Sequence, residues 1–264
     1  MDMLKDERQN QILQLLQQDR SVSLSDLSEH FDVSDMTIWR DLNELSRAGL
    51  IKRIRGGALA REPAQVDIHD LSNHSRDPNA AKKSAIGSYA ARCLINVGDS
   101  ITIEAGTTAR SIVPYLNTPN LTILTNGLLT CISVYQSKTN MMLMCSGGVL
   151  IENGAFIGPQ AEDFFANFHT QKAFLGAEGL TIEEQFTDST PLYTNLKKVM
   201  NAKADQTIMM LDSSKIGVSS LVQVLKIKEV DILVTDCDAS PDVIDSLHQY
   251  GIDVHIAEPE EETG

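Results

Sequence analysis

The sequence predicts an α/β protein in two parts: an N-terminal winged helix-turn-helix, then a doubly wound, mostly parallel α/β domain. Three observations predict it. Residues 1–60 read as three short helices followed by a basic, apolar-alternating hairpin around Gly56-Gly57. From Ala80 onward, short apolar strands alternate with helices, the pattern of a parallel sheet. The chain has 264 residues, long for one core when domains cluster at roughly 100–150 residues. The expected division is 1–60 for the winged module, 61–79 for a linker, 80–258 for the α/β domain and 259–264 for an acidic tail.

In the first part, Ile12, Leu15 and Leu16 lie among Gln, Glu and Arg, which predicts an amphipathic helix over 5–18. Ser21–Leu24 alternates like a very short strand. Leu27 and Phe31 are spaced i, i+4 in a short helix over 25–31, and Asp32-Val33 makes the turn. Ser34 is placed to N-cap the next helix, and Gly49 to end it. In that helix Ile38, Leu42 and Leu45 form the packing face. Its other face offers Asp35, Thr37, Trp39, Arg40 and Asn43. Leu50–Ala60 then predicts a two-stranded hairpin.

The net charge of −14 argues against nucleic acid only if it is spread evenly, and it is not. Residues 1–61 hold 9 Lys/Arg against 10 Asp/Glu, whereas 62–264 hold 13 against 26. Residues 40–55 carry five basic residues against Asp41 and Glu44. In helix-turn-helix proteins the last helix enters the major groove with its N-terminal residues at base edges. Arg40 suits a guanine edge and Asn43 an adenine edge. Ser34 and Thr37 are expected at phosphates. Lys52, Arg53 and Arg55 are expected to neutralise phosphates, and Gly56-Gly57 to let the turn approach the backbone. Trp39 either packs on sugar and a thymine methyl or is tucked against the wing.

In the second part, helices are expected at 80–95, 107–116, 127–136, 159–168, 191–204 and 240–249. Strands are expected at 100–104, 121–125, 141–145, 171–176, 207–211, 231–235 and 252–256. Three successive strands run into small or polar residues: Gly106-Thr107-Thr108, Thr125-Asn126-Gly127 and Ser146-Gly147-Gly148. Ligands of open α/β sheets bind beyond the carboxyl ends of strands. Backbone N–H groups and hydroxyls there suit a phosphate. Lys215 is placed to meet a phosphate or ring oxygen, and Asp212 to accept from sugar hydroxyls. Asp236 either joins them or caps the following helix. Lys197 either reaches the pocket or faces solvent.

Both halves resemble the DeoR family of bacterial transcriptional repressors. The N-terminal resemblance rests on ERQNQILQLL and SLSDLSEHFDVSDMTIWRDLNELSRAGLIKRIRGGALA. Ser34, Thr37, Ile38, Arg40, Asp41 and Leu42 fit the family pattern. Trp39 departs where arginine is usual, and Arg55 where histidine is common. The C-terminal resemblance rests on GDSITIEAGTTA, LTILTN, SGGVL, KAFLGAEGL, LKKVMNAKADQTIMMLDSSKIG and ILVTD. It implies a fold related to ribose-5-phosphate isomerase and a phosphorylated-sugar effector that controls DNA binding. Glu104, where the family usually has aspartate, is then an effector residue. The resemblance implies a repressor of a carbohydrate-utilisation operon. A symmetric operator calls for an even-numbered homo-oligomer.

The alternative is a sugar-phosphate isomerase fused to a DNA-binding module. Isomerisation needs a general base beside the substrate carbon. The stretch comparable to the paired-acid motif of the isomerases is Leu175–Gly179, which carries only Glu178. A sensor without catalytic residues is therefore expected, with Glu178 among its effector contacts. No cofactor and no metal are expected. Cys93, Cys131, Cys145 and Cys237 lie far apart without a CxxC pair, so they are expected to be buried thiols rather than disulfides or zinc ligands. The polar N-terminus and the lack of a ~20-residue apolar run predict a soluble, cytoplasmic protein with no membrane partner.

Overall fold

The computed structural model describes residues 5–19, 21–47, 51–54, 56–60, 77–137, 140–183 and 185–259. The chain separates into two compact units, Met1–Leu71 and Ser72–Gly264. Most of the expected linker, the helix stop at Gly49, the wing residue Arg55 and nearly all of the acidic tail lie outside the described residues.

In the first unit the order is α1 (Lys5–Asp19), β1 (Ser21–Ser23), α2 (Leu24–Phe31), α3 (Asp35–Arg47), β2 (Ile51–Ile54) and β3 (Gly57–Ala60). Ile12 and Leu16 of α1, Leu27 of α2 and Ile38, Leu42 and Leu45 of α3 close over Ile51 and Ala58 as one core. Ser23 caps α2 by accepting the Asp26 N–H, and α2 ends where Asp32 takes a left-handed φ of 51°. Ser34 Oγ accepts the Thr37 N–H at 3.2 Å and starts α3.

The expected two-stranded hairpin has a third strand. β3 pairs with β2 on one side and with β1 on the other, both antiparallel. A three-residue strand carries too little alternation to announce its partner. Gly57 is what lets β1 approach: a Cβ there would lie 2.1 Å from the Val22 carbonyl oxygen. Beneath the helices, Arg8 Nε donates to Asp41 Oδ2 at 2.7 Å, with Arg8 only 7% exposed and Asp41 buried.

The second unit begins with α4 (Ala80–Cys93) and β4 (Ser100–Ile103), followed by α5 (Thr107–Arg110), β5 (Thr122–Thr125), α6 (Leu128–Gln136) and β6 (Met142–Cys145). Then come β7 (Val149–Leu150), β8 (Phe156–Ile157), α7 (Pro159–Ala166) and β9 (Thr170–Leu175). β10 (Gly179–Thr181), β11 (Gln185–Asp188), α8 (Thr194–Ala202), β12 (Ala204–Met210) and β13 (Val222–Leu225) follow. β14 (Ile232–Asp236), α9 (Pro241–Gln249) and β15 (Asp253–Ala257) complete the order.

Seven strands form a parallel sheet in the order β15-β14-β12-β9-β4-β5-β6. Successive residues of a strand face opposite sides. Phe174, Ile208 and Met210 accordingly pack with α4 and α6 on one face. Ala173, Leu175 and Met209 pack with α7, α8 and α9 on the other. This is the doubly wound arrangement.

Two expected helices are shorter than their pattern. The 107–116 segment breaks after Arg110 and resumes as a 3-10 turn over Val113–Tyr115, because Pro114 has no N–H for an α-helical bond. The 191–204 segment opens as a 3-10 turn at Pro191–Tyr193, and its end is already strand β12. The β7–β8 hairpin and the antiparallel sheet β10-β11-β13 were not expected. Their strands of two to four residues show no readable period.

Asp41→Ala leaves the Arg8 guanidinium buried without this carboxylate. It is expected to lower the stability of the first unit by about 3 kcal/mol. Trp39 is the protein's single tryptophan, so denaturant unfolding followed by its fluorescence isolates that loss.

Candidate functional site

The strand order reverses direction between β4 and β9. β4 is followed by β5 and β6 on one side, and the chain then returns to place β9 on the other. The turns leaving β4 and β9 therefore diverge and open a crevice at the carboxyl edge of the sheet. A cavity of about 250 Å³ occupies it. The β4 turn supplies Glu104 to Thr108, and the β9 turn supplies Gly176 to Glu178. Asn153, Asp188, Tyr193, Lys197, Lys83 and Lys215 complete the wall.

Each turn is held in place. Glu104 is buried, and its Oε2 accepts the Gly106 N–H at 2.9 Å. A Cβ at Gly106 would lie 2.6 Å from that oxygen, so the turn wraps closely round the Glu104 carboxylate. In the first turn of α5 the N–H groups of Thr107 and Thr108 precede any intrahelical acceptor. Thr107 Oγ1 accepts from Lys83 Nζ at 3.0 Å, and the same ammonium pairs with Asp77 at 2.6 Å.

Lys197 settles between its two sequence readings: it reaches the pocket and is 5% exposed. Its Nζ donates to the Gly176 carbonyl at 2.8 Å and to Asp188 Oδ2 at 2.7 Å, and lies 5.6 Å from the Tyr193 ring centre. Burial alone would favour the neutral amine. The charges of Glu104 and Asp188, with Glu178 farther out, outweigh burial and hold its pKa above the ordinary 10.5. Glu178 is exposed, and its two oxygens accept from the Ser189 hydroxyl and N–H at 2.9 and 3.1 Å. The Tyr193 hydroxyl oxygen accepts from Asn153 Nδ2, and burial chiefly raises the tyrosine pKa.

Among the expected effector residues, Glu104, Gly106, Thr107, Thr108, Glu178 and Lys215 line this cavity together. Thr125, Asn126, Gly147, Gly148 and Asp212 do not. Asn126 is buried and braces the wall: its Oδ1 accepts the Ala105 N–H at 2.9 Å and its Nδ2 donates to the Phe156 carbonyl. Thr125 Oγ1 accepts the Gly127 N–H at 3.0 Å. Gly147 and Gly148 turn the chain with φ of 62° and 112°. Asp212 is buried and accepts from the Ser214 hydroxyl. Asp236 does not cap the following helix; it holds Ser213 by accepting its N–H at 2.6 Å and its hydroxyl at 2.8 Å. Together these two aspartates anchor the loop that carries Lys215, whose ammonium makes no ion pair among the described residues.

In the first unit, Trp39, Arg40 and Met36 stand exposed on α3. Trp39 keeps 47% of its surface while the Arg53 guanidinium sits 6.0 Å over its ring, so the tryptophan is both solvent-facing and wing-clamped. Arg53 Nη1 also donates to the Trp39 carbonyl at 3.3 Å and to Asn43 Oδ1 at 3.0 Å. Arg53 and Asn43, both expected at DNA, thus bind each other and fix the wing to the helix. The Ser34 and Thr37 hydroxyls bond each other at 2.9 Å at the start of α3. Leu24, Asp35, Met36 and Trp39 surround a shallow apolar hollow beside Arg40. Gly56, with φ of 87°, forms the wing turn.

Residues 8–64 match the family described as the DeoR-like helix-turn-helix domain, and residues 78–237 match the DeoR C terminal sensor domain. The chain belongs to the DeoR family. Its relatives in that family match at nearly full length. An uncharacterised HTH-type transcriptional regulator, YulB of Bacillus subtilis, is 32% identical over 96% of both chains. The HTH-type transcriptional regulator GolR of Listeria innocua is 30% identical over 96% of this chain and 98% of its own. The glycerol-3-phosphate regulon repressor of Escherichia coli is 28% identical over 96% and 100%. Among solved structures, ribose 5-phosphate isomerase from Methanocaldococcus jannaschii aligns at a TM-score of 0.38 and 15% identity over 52% of this chain and 55% of its own. The relatives are named as regulators and repressors, and this DeoR-family chain is a transcriptional regulator. No helix among the described residues is long and apolar enough to cross a membrane.

Sequence reasoning missed Lys83, Asp188, Tyr193 and Asn153. Each comes from a different element, and none sits in a motif of its own. The residue three places before Pro191-Leu192-Tyr193 had a faint signal: Asp188 is the only acid between Glu184 and Lys197.

Lys197→Met leaves the Asp188 carboxylate buried without its ammonium. It is expected to destabilise the DeoR sensor domain by about 3 kcal/mol, read from thermal unfolding by circular dichroism. The lysine's folded pKa is raised, so its stabilisation is complete below about pH 10.5 and is lost as pH climbs through the higher folded value. The melting difference between wild type and Lys197→Met should therefore shrink only in that alkaline range.

Proposed function

We propose that the protein represses a carbohydrate-utilisation operon and that a phosphorylated sugar, bound in the switch-point cavity, controls its operator binding. One observation carries this reading: the cavity joins a phosphate-sized turn at Gly106–Thr108, with Lys215 beside it, to a set of carboxylates suited to hydroxyls. Phosphate oxygens take N–H, hydroxyl and ammonium donors. Sugar hydroxyls donate to carboxylates, which Glu104, Asp188 and Glu178 provide. The names of relatives support the same direction, among them a lactose phosphotransferase system repressor of Streptococcus mutans, 30% identical over 94% of this chain.

The partner in DNA is a double-stranded operator met by α3 and the wing. Trp39 and Arg40 are the groups on α3 for direct readout, with Ser34, Thr37, Lys52, Arg53 and Arg55 toward phosphates. A symmetric operator pairs with an even-numbered homo-oligomer. Regulation then needs only that the sugar phosphate bind one of two states better. A ligand present at 1,000 times its Kd and selective for one state shifts the balance by about 4 kcal/mol. No cofactor enters this scheme.

The isomerase reading draws on the same carboxylates. The Lys197 ammonium is already committed to Asp188, and Glu178 is exposed and bonded to Ser189. That leaves no paired acid beside a substrate carbon, which favours the sensor.

A thermal-shift screen of sugar phosphates should find one that raises the melting temperature of the full chain. Thr107→Ala with Thr108→Ala should lose that shift yet still retain duplexes selected from a random library. Arg40→Ala with Arg53→Ala should keep the shift and lose the duplexes. Retained duplex binding by the arginine variant would sink the DNA assignment. A ligand shift that survives the threonine variant would move the phosphate elsewhere. Turnover of a sugar phosphate, abolished by Glu178→Gln, would replace the sensor with an enzyme.

A further inference from the structure

The surface departs from expectation at two kinds of side chain. The four thiols expected to be buried are not: Cys93, Cys145 and Cys237 are exposed and Cys131 is half-buried. In the first unit, the large apolar side chains left exposed include Met36, Trp39 and Ile54, all on α3 or the wing. Two of these three are organised into a site.

Asp35, Met36, Trp39 and Arg40 are spaced i, i+1, i+4 and i+5, so they share one face of α3. The core residues Ile38, Leu42 and Leu45 take another face. Met36 is 58% exposed and Trp39 47%. With Leu24 from the start of α2 they wall a shallow hollow of about 250 Å³, and Asp35 stands on its rim. The Trp39 side of the hollow is braced from the wing. Arg53 lies 6.0 Å over the ring and donates to the Trp39 carbonyl and to Asn43 Oδ1. The indole is thus held in place without being covered.

An apolar hollow rimmed by charge marks an interaction site. Its surroundings say what fits. Arg40 on the same face and Arg53 beside the ring supply the charge that holds a polyanion. Asp35 is exposed as well, and a carboxylate is repelled by phosphates. It is compatible with duplex DNA only where it meets an exocyclic amino group, which lies on a base edge. The hollow therefore faces bases rather than backbone. In the major groove the apolar group on a base edge is the C5-methyl of thymine, and the paired adenine presents an amino group to the same groove.

We propose that the hollow of Leu24, Met36 and Trp39 is a specificity pocket that takes the C5-methyl of one thymine in each operator half-site. The proposal rests on the reading of α3 and the wing as DNA-binding elements and adds the base that they select. Asp35 accepts from the adenine amino group of the same pair. Where an arginine would offer a donor fork to guanine, Trp39 offers an apolar face to a methyl group.

The test uses the full chain and duplexes it selects from a random library. Each thymine of a selected duplex is replaced in turn by deoxyuridine, which lacks only the methyl group, and binding is read by fluorescence anisotropy. At one position per half-site deoxyuridine should weaken binding by about fourfold, the equivalent of one buried methyl. Met36→Ala, which leaves the Arg53 contacts in place, and Trp39→Ala should both weaken binding to the thymine duplex and become indifferent to deoxyuridine at that position. The proposal is overturned if no thymine position carries the penalty in wild type, or if the penalty persists undiminished in both variants. A changed sedimentation coefficient in Met36→Ala, with the penalty intact, would instead give the hollow to a second copy of the chain. Failure to select any duplex would remove the DNA-binding reading itself and this proposal with it.

Discussion

The larger unit depends on one topological constraint. β4 and β9 lie side by side in the sheet, yet the chain leaves their ends toward opposite flanks. Nothing can pack tightly into the gap between diverging turns, so the sheet carries a crevice at that edge and the remaining elements are built to line it. The β10-β11 hairpin follows from this. Its last residue, Asp188, returns to the crevice and meets Lys197 from α8. The elements that seemed incidental, short strands without sequence period, bring side chains to a place that only the strand order defines.

Charge in the crevice is nearly compensated before any ligand arrives. Lys197 is bound to Asp188, and Lys83 to Asp77. These ammonium groups hold the walls together. Lys215 differs in standing on a loop that Asp212 and Asp236 anchor from below. A buried ammonium pinned by a carboxylate gives geometry, whereas a lysine on an anchored loop keeps its charge available. The proposed phosphate site in an acidic chain rests on the same division: Asp188 neutralises Lys197, and Glu104 and Glu178 each accept from a backbone N–H.

In the smaller unit, Arg53 does structural work that its charge alone does not suggest. It spans from the wing to α3, covering Trp39 and bonding Asn43. The wing is thereby fixed relative to the helix. Preorganisation of this kind reduces the ordering cost of binding. Trp39, where arginine is usual in the family, replaces a charge with a broad apolar face next to Met36.

The sequence by itself determined the two-part plan, the helix-turn-helix and the strand–helix alternation. Those features rest on local periodicity and turn chemistry. Ile38, Leu42 and Leu45 fall on one helix face whatever surrounds them, and Glu104 to Thr108 must follow a strand. It also delivered the residues that sit in strand-end turns, because a turn is contiguous. Only the tertiary structure decided that Thr125, Asn126, Gly147, Gly148 and Asp212 stand behind or beside the cavity, and that Lys83, Asp188 and Tyr193 line it. The physical reason is common to all of them. A strand order, a helix crossing or a pairing of distant segments is set by long-range burial and hydrogen bonding, and no window of sequence contains both partners.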